Sequence, residues 1–334
     1  MRIFISGVAG FLGSHLADAF IADGHEVVGC DNLIGGYFDN VPNQVEFHLY
    51  DCTDLRQMIN VTKGCDIVFH CAATAYEGLS SFSPTFITNN IVQSSISVIT
   101  ASIINKVRRF VFCSSMARYG TQKIIPFTED LTPLPQDPYG IGKYCSELML
   151  SNLSKLHGME YVIAVPHNII GPRQRYDDPY RNVASIMINM LLQGKQPFIY
   201  GDGTQKRCFS FIQDDVEMLK LLAFLPNISG EVINIGPDDE FITINELFHT
   251  IASLLHSNIT PIYLTQRPQE VYLASCSSTK AKRLLGYESK TKLVTGLKTM
   301  IDYISTRGTR PFKYFIDLEI INQHTPLSWK NRMF

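Results

Sequence analysis

The sequence has no surplus of charge of either sign: 29 lysines and arginines face 31 aspartates and glutamates, a formal charge of −2 over 334 residues. That balance excludes a broadly basic coat for nucleic acid, and no basic arm or aromatic-interleaved groove stands out. Among the eight cysteines there is no Cys-x-x-Cys pair and no cluster with zinc-ligand spacing. They are scattered through apolar, strand-like runs, as the reduced, buried thiols of a cytosolic protein are. Any apolar segment of roughly 18 residues, the length a membrane span needs, is also missing. Met1-Arg2-Ile3-Phe4-Ile5-Ser6 runs straight into a glycine turn without the apolar stretch and cleavage site of a signal peptide. The expectation is a cytoplasmic protein with no membrane, metal or nucleic-acid partner.

The 45% of residues that are hydrophobic, against 22 glycines and 16 prolines, exclude disorder and collagen-like repeats. The length suits two domains, or one large α/β domain with an appended lobe. Through about residue 165, short β-branched runs alternate with helical segments, the order of a parallel sheet with crossover helices. Strands are predicted at 2–6, 26–30, 45–49, 67–71, 109–114 and 161–165, with helices at 11–22, 55–61, 85–105 and 139–157. Beyond about residue 172 the rhythm loosens into Pro- and Gly-punctuated pieces, with helices near 183–192, 214–224, 244–255, 278–285 and 294–305. The predicted fold is α/β, a Rossmann-type doubly wound parallel sheet (1–172) with a smaller α/β substrate lobe (mainly 173–334), some segments of which return to the first domain. The aromatic-rich tail beyond Arg310 carries no fold signal.

Directly after the first strand comes Gly7-Val8-Ala9-Gly10-Phe11-Leu12-Gly13, opening a helix whose apolar residues Leu12, Leu16, Phe20 and Ile21 recur at helical spacing. Glycines there permit a tight turn and close approach of a pyrophosphate, which the helix N-terminus favours. The second strand ends at Asp31-Asn32, 18 residues past Gly13, where a carboxylate accepts ribose hydroxyls and repels a 2′-phosphate, favouring NAD over NADP. Asp51, ending the third strand, is placed either to approach the adenine or to cap a turn.

Asp137-Pro138-Tyr139-Gly140-Ile141-Gly142-Lys143 puts Tyr139 and Lys143 on one helix face. A neighbouring ammonium lowers a phenol from about 10 towards working pH, making the tyrosine a general base for an alcohol. The strand end Cys113-Ser114-Ser115 offers Ser115 to the reacting oxygen, at the sheet edge where such folds bind ligands.

Taken in order, the glycine turn, Asp31, the Ala72-Ala73 strand end, Ser115 and the Tyr139/Lys143 pair resemble the extended short-chain dehydrogenase/reductase family, and within it the nucleotide-sugar epimerase/dehydratase branch. The resemblance runs on through Pro166-His167-Asn168-Ile169-Ile170-Gly171-Pro172, Gly201-Asp202-Gly203-Thr204-Gln205-Lys206-Arg207 and Arg267-Pro268-Gln269-Glu270-Val271. It implies that Ser115, Tyr139 and Lys143 are catalytic. It adds Cys52, Asn90 and Pro166 to the NAD site. Asn168, Asn182, Val183, Tyr200, Arg207 and Arg267 are assigned to a nucleoside-diphosphate sugar, the arginines because a guanidinium fork matches phosphate oxygens.

Family members share oxidation at the sugar C4 and diverge by the acids and bases around the keto sugar. The two residues after Ser115 are Met116 and Ala117, and neither can move a proton, which counts against dehydration, decarboxylation and 3,5-epimerisation. The resemblance therefore implies an NAD-dependent 4-epimerase of a UDP-hexose, plain or N-acetylated. A 4-dehydrogenase or another epimerase on GDP-, dTDP- or UDP-sugars stays open, as does a non-catalytic dinucleotide binder. Ala274, seven residues after Arg267, leaves room for an N-acetyl group where hexose-restricted relatives tend to carry tyrosine. The helices 85–105 and 139–157 carry apolar residues on more than one side, and the resemblance implies that two copies pair them into a homodimer's four-helix bundle.

Overall fold

The computed structural model describes every residue, Met1–Phe334. Its centre is a seven-stranded sheet in which all neighbours run parallel, in the order Val232–Ile235, β6 (Glu160–Pro166), β5 (Arg109–Cys113), β4 (Ile67–His70), β1 (Arg2–Ser6), β2 (Glu26–Asp31), β3 (Glu46–Leu49). Strand order reverses beside β1, so a crevice opens at the carboxyl ends of β1 and β4. β1, β4 and β5 are almost wholly buried because helices cover both faces, and their unbroken apolar runs reflect that. The residues of β1 show the two layers: Ile3 and Ile5 enter one core cluster with Leu16 and Phe20, and Phe4 enters another with Val68, Phe110 and Phe112. Each such side chain contributes about 1.5–3 kcal/mol on burial.

The helices before residue 160 are α1 (Phe11–Ala22), α2 (Leu55–Val61), α3 (Glu77–Ser80), α4 (Pro84–Thr88), α5 (Ser94–Ile104) and α6 (Pro138–His157). α6 starts on the Asp137 side chain, which accepts the Gly140 N–H at 2.8 Å, and stops at Gly158 in the left-handed region. α4 and α5 are joined by a π turn, Asn89–Gln93, so Pro84–Ile104 is one helical run of 21 residues. That run corrects one sequence expectation, since it is long and apolar enough to span a membrane. Half of its most apolar stretch is buried, with Ile91, Val98 and Ile99 inside, as in the core helix of a folded domain.

After residue 172 the chain forms a third core from the helices Val183–Leu192, Ile244–Leu254 and Leu293–Arg307. Around it lie short sheets: Lys206–Arg207 pairs with Ile242–Thr243 and with Leu273–Ala274, and Phe198–Tyr200 pairs with Ile262–Leu264. These two- and three-residue strands had no readable period. Val232–Ile235 crosses back to extend the central sheet beside β6.

Candidate active site

A single cavity of about 490 Å³ follows the carboxyl edge of the sheet and continues under the second half of the chain. Every residue assigned to cofactor or substrate from sequence borders it, from Gly7 to Arg267.

At one end lies the glycine turn. Gly7 has φ +74°, and its N–H donates to the Cys30 carbonyl at 2.8 Å, tying the turn to β2. A Cβ on Gly13 would stand 2.3 Å from the Gly7 carbonyl oxygen, so α1 reaches the turn only because that atom is missing. α1 begins at Gly10 with no side-chain cap, which leaves its first N–H groups for an anion. Asp31 accepts the Ala9 N–H at 3.1 Å and the Leu33 N–H at 2.7 Å, one on each oxygen, which fixes its carboxylate in the cavity lining. Asp51 does what a turn cap does, accepting the Thr53 N–H at 2.8 Å and hydroxyl at 2.7 Å. It also receives Asn32 Nδ2 at 2.9 Å and borders the cavity, so the turn-cap reading holds and the carboxylate stays within the lining. Phe11, Leu12, Cys52, Ala72, Ala73 and Asn90 complete this end, Asn90 from the π turn. The bare helix start, the glycine cradle and the ribose-side carboxylate suit a dinucleotide.

In the middle, β5 and α6 bring Ser115, Tyr139 and Lys143 to one wall. The Ser115 hydroxyl accepts the Ala117 N–H at 3.2 Å as it caps a short 3-10 turn. Behind it the buried Glu147 carboxylate takes the Ser114 hydroxyl and pairs with Arg118 at 3.0 Å, clamping the strand end to α6. Lys143 is buried; its ammonium donates to the Cys113 carbonyl at 2.8 Å and lies over the Phe112 ring, and burial pulls it down to about 8. The lysine does not lower the tyrosine as expected. Burial raises the Tyr139 phenol, the Ser115 hydroxyl opposes this, and the carboxylates of Glu77 and Asp137 raise it further. The cause is distance from solvent together with a lysine already engaged by a carbonyl.

The far end carries Arg207 and Arg267, both paired to Glu270, at 3.6 and 2.9 Å. Asn182 caps the helix Val183–Leu192 by accepting the Ala184 N–H at 2.9 Å. Asn168, at φ +47°, donates to the Cys208 carbonyl at 2.9 Å, and Pro166 ends β6 beside it. Ala274 is a correction: it is buried in the core with Val271 and Cys276 and does not border the cavity, so its small size does not make room for an N-acetyl group.

Residues 3–236 match the model of the NAD dependent epimerase/dehydratase family. The chain belongs to that family. The chain is 33% identical to a putative UDP-glucose 4-epimerase of Methanocaldococcus jannaschii, over 92% of this chain and 99% of the relative. It superposes on the crystal structure of UDP-glucose 4-epimerase with UDP-glucose from Thermotoga maritima with a TM-score of 0.86 at 31% identity, covering 92% of this chain and 99% of that one. It is also 29% identical, over 90% of its length and 97% of the relative's, to a UDP-N-acetyl-α-D-glucosaminuronate decarboxylase of Bacillus cytotoxicus. The names of these relatives carry different reactions, epimerisation and decarboxylation.

This epimerase/dehydratase also brings groups into the cavity that local sequence did not single out. Glu77 stands where it feels Arg207, Arg267 and Glu270 on one side and Asp137 on the other. Arg181 pairs with Asp178 at 3.6 Å and crosses the Tyr76 ring. Only Asp137 had a signal, a helix-capping aspartate before Pro138.

Burial, then the Glu77 charge, lifts the Asp137 carboxyl to about 7 against the cap's pull downward. An unfolded aspartate titrates near about 3.9, so between these values the folded chain holds a proton that the unfolded chain has released, and stability falls as pH rises through that window. Asp137→Asn keeps the cap and removes the titration. The melting temperature of the variant relative to the parent is expected to rise from about pH 4 to about pH 8. A difference constant with pH contradicts this assignment.

Proposed function

We propose that this chain is a nucleotide-sugar 4-epimerase acting on a UDP-hexose, glucose/galactose or the N-acetylated pair, through a transient 4-keto sugar. The observation that carries the reading is the layout of one cavity: Ser115, Tyr139 and Lys143 lie between a dinucleotide turn and a pair of arginines, and Met116 and Ala117 beside Ser115 carry no titratable group.

NAD, when bound along Gly7–Gly13, Asp31 and Lys143, supplies the acceptor and donor of the C4 hydride. Tyr139 takes the O4 proton and returns it after the keto sugar has turned over to present its other face. Ser115 donates to the C4 oxygen and Lys143 to the nicotinamide ribose. With NAD bound, the Lys143 ammonium would hold the nicotinamide ribose, and its charge would favour the phenolate of Tyr139. Arg207 and Arg267 grip the diphosphate, about which the sugar rotates, while Asn168, Asn182, Val183 and Tyr200 bound the nucleotide and sugar. Asp137 is committed to the Gly140 N–H and is held out of the chemistry.

The test is incubation with UDP-glucose, UDP-N-acetylglucosamine and UDP-glucuronic acid, with products followed by proton NMR and reduced cofactor by absorbance. The 4-epimer of a neutral sugar without net NADH is expected. A keto product with equivalent NADH makes the protein a dehydrogenase.

The reading includes a homodimer. Ile141 and Leu148, seven residues apart on α6, are each more than half exposed, and Val92, Ile96 and Ile103 on the Pro84–Ile104 run are partly so. Two copies of this face make a four-helix bundle. Ile91 and Ile99 are spent on the core. Light scattering is expected to give a dimer at micromolar concentration and a monomer for Leu148→Glu; a parent monomer contradicts it. The thiols, none of them in a disulfide, fit a cytoplasmic enzyme.

A further inference from the structure

The last residues of the chain fold back across the substrate end of the cavity. The N–H groups of Glu319 and Ile320 both donate to the Phe82 carbonyl at 2.9 Å. The Glu319 carboxylate accepts the Thr85 and Phe86 N–H groups at 2.9 and 2.8 Å, at the start of α4. So anchored, the segment ends in a short helix, Leu327–Lys330, that sets Trp329 into the cavity wall. The indole is 3% exposed, with its ring 5.4 Å from Tyr180, 6.0 Å from Phe82 and 6.2 Å from Tyr200. Next to it, the Ser328 hydroxyl and the Tyr200 phenol share a hydrogen bond of 2.6 Å.

Arg267 comes to the same place from the other side. Its guanidinium lies 4.9 Å over the Tyr200 ring. Above Gly78 the two groups close in together: a Cβ there would meet Trp329 Cη2 at 3.2 Å and Arg267 Nη1 at 3.3 Å. Arg267, paired to Glu270 at 2.9 Å, therefore lies in a slot between the Tyr200 ring and the Gly78 backbone, with the edge of Trp329 against the same glycine. A free arginine has many rotamers to lose on binding; one held in a slot has fewer, and the aromatic wall strengthens its attraction for an anion by excluding water.

We propose that Trp329 is a positioning residue for substrate: the C-terminal segment is a resident wall of the cavity, and its indole holds the Arg267 guanidinium for a nucleoside diphosphate. This rests on the reading of Arg207 and Arg267 as the diphosphate cations. Trp329 is the one tryptophan of the chain, so its emission reports on this wall alone.

The experiment titrates UDP into the NAD-loaded 334-residue chain, following tryptophan emission and, separately, heat. A saturable emission change with the calorimetric Kd is expected. Trp329→Ala is expected to weaken UDP about tenfold and to raise KM for the UDP-sugar in parallel, with kcat within about twofold and NAD affinity unchanged. Trp329→Phe recovers most of the loss. A folded Trp329→Ala protein with the parent's UDP affinity overturns the proposal, as does parallel loss of NAD and UDP binding. If the parent takes up no UDP by calorimetry, the diphosphate reading falls and this proposal with it. If Arg267→Ala weakens UDP and Trp329→Ala does not, only the role of Trp329 falls.

Discussion

Tyr139→Phe is expected to lower kcat by about 10²- to 10⁴-fold, the range for losing a positioned general base. The change removes one oxygen from a ring that is otherwise packed among Ile87, Ile91 and Ala117, so the fold and NAD affinity are expected to persist. The residual rate has a diagnostic pH profile. The phenol must lose its proton before it can act as the base, so the parent's rate is expected to climb with pH as the phenolate forms in the substrate complex. The variant has no phenol to ionise, and its profile loses that limb. Parent-like turnover in the phenylalanine variant, measured by single-turnover NMR, removes Tyr139 from the chemistry.

Gly13→Ala is the second large effect. The new methyl carbon would need to sit 2.3 Å from the Gly7 carbonyl oxygen and 3.0 Å from Val8 Cα, and both are backbone. No side-chain rotation relieves such a contact, so the turn must open or α1 must slide outward. Either movement withdraws the first N–H groups of α1 from the pyrophosphate. Hydrogen bonds to a charged group are each worth about 1.5–3 kcal/mol, so losing one or two of them is expected to raise the NAD Kd by about 10²-fold. Calorimetry is the check; NAD affinity within about threefold of the parent would contradict the placement of the pyrophosphate at this turn.

These two residues were legible because their chemistry is local. The strand Arg2–Ser6 and the helix Phe11–Ala22 announce themselves by period, and the turn between them by glycine. Tyr139 and Lys143 lie one helical turn apart, so their shared face is a property of spacing alone. Glu77 had no such signature: it becomes a cavity residue only because α3 passes beside Arg207 and Arg267, far along the chain. Trp329 was opaque for the same reason, since its partners Phe82, Tyr180 and Tyr200 come from three separate segments. In the ligand-free chain the phenol is raised and not lowered, for a different reason. Spacing told which side chains share a face but not that Lys143 would turn to the Cys113 carbonyl. Ala274 failed likewise, because sequence distance from Arg267 says nothing about which side of a two-residue strand meets the cavity.

The central claim is that carbon-bound hydrogen leaves and returns only at C4, passing through the cofactor and never through water. Glu77, the uncommitted carboxylate near Tyr139, is the group that could support the rival chemistry of proton removal beside a keto carbon. Turnover of the UDP-hexose in D₂O, with the sugar products examined by proton NMR, separates the two. The account predicts complete conversion to the equilibrium mixture of 4-epimers with no deuterium on any sugar carbon. Deuterium at C3 or C5, or at C4 itself, would contradict it.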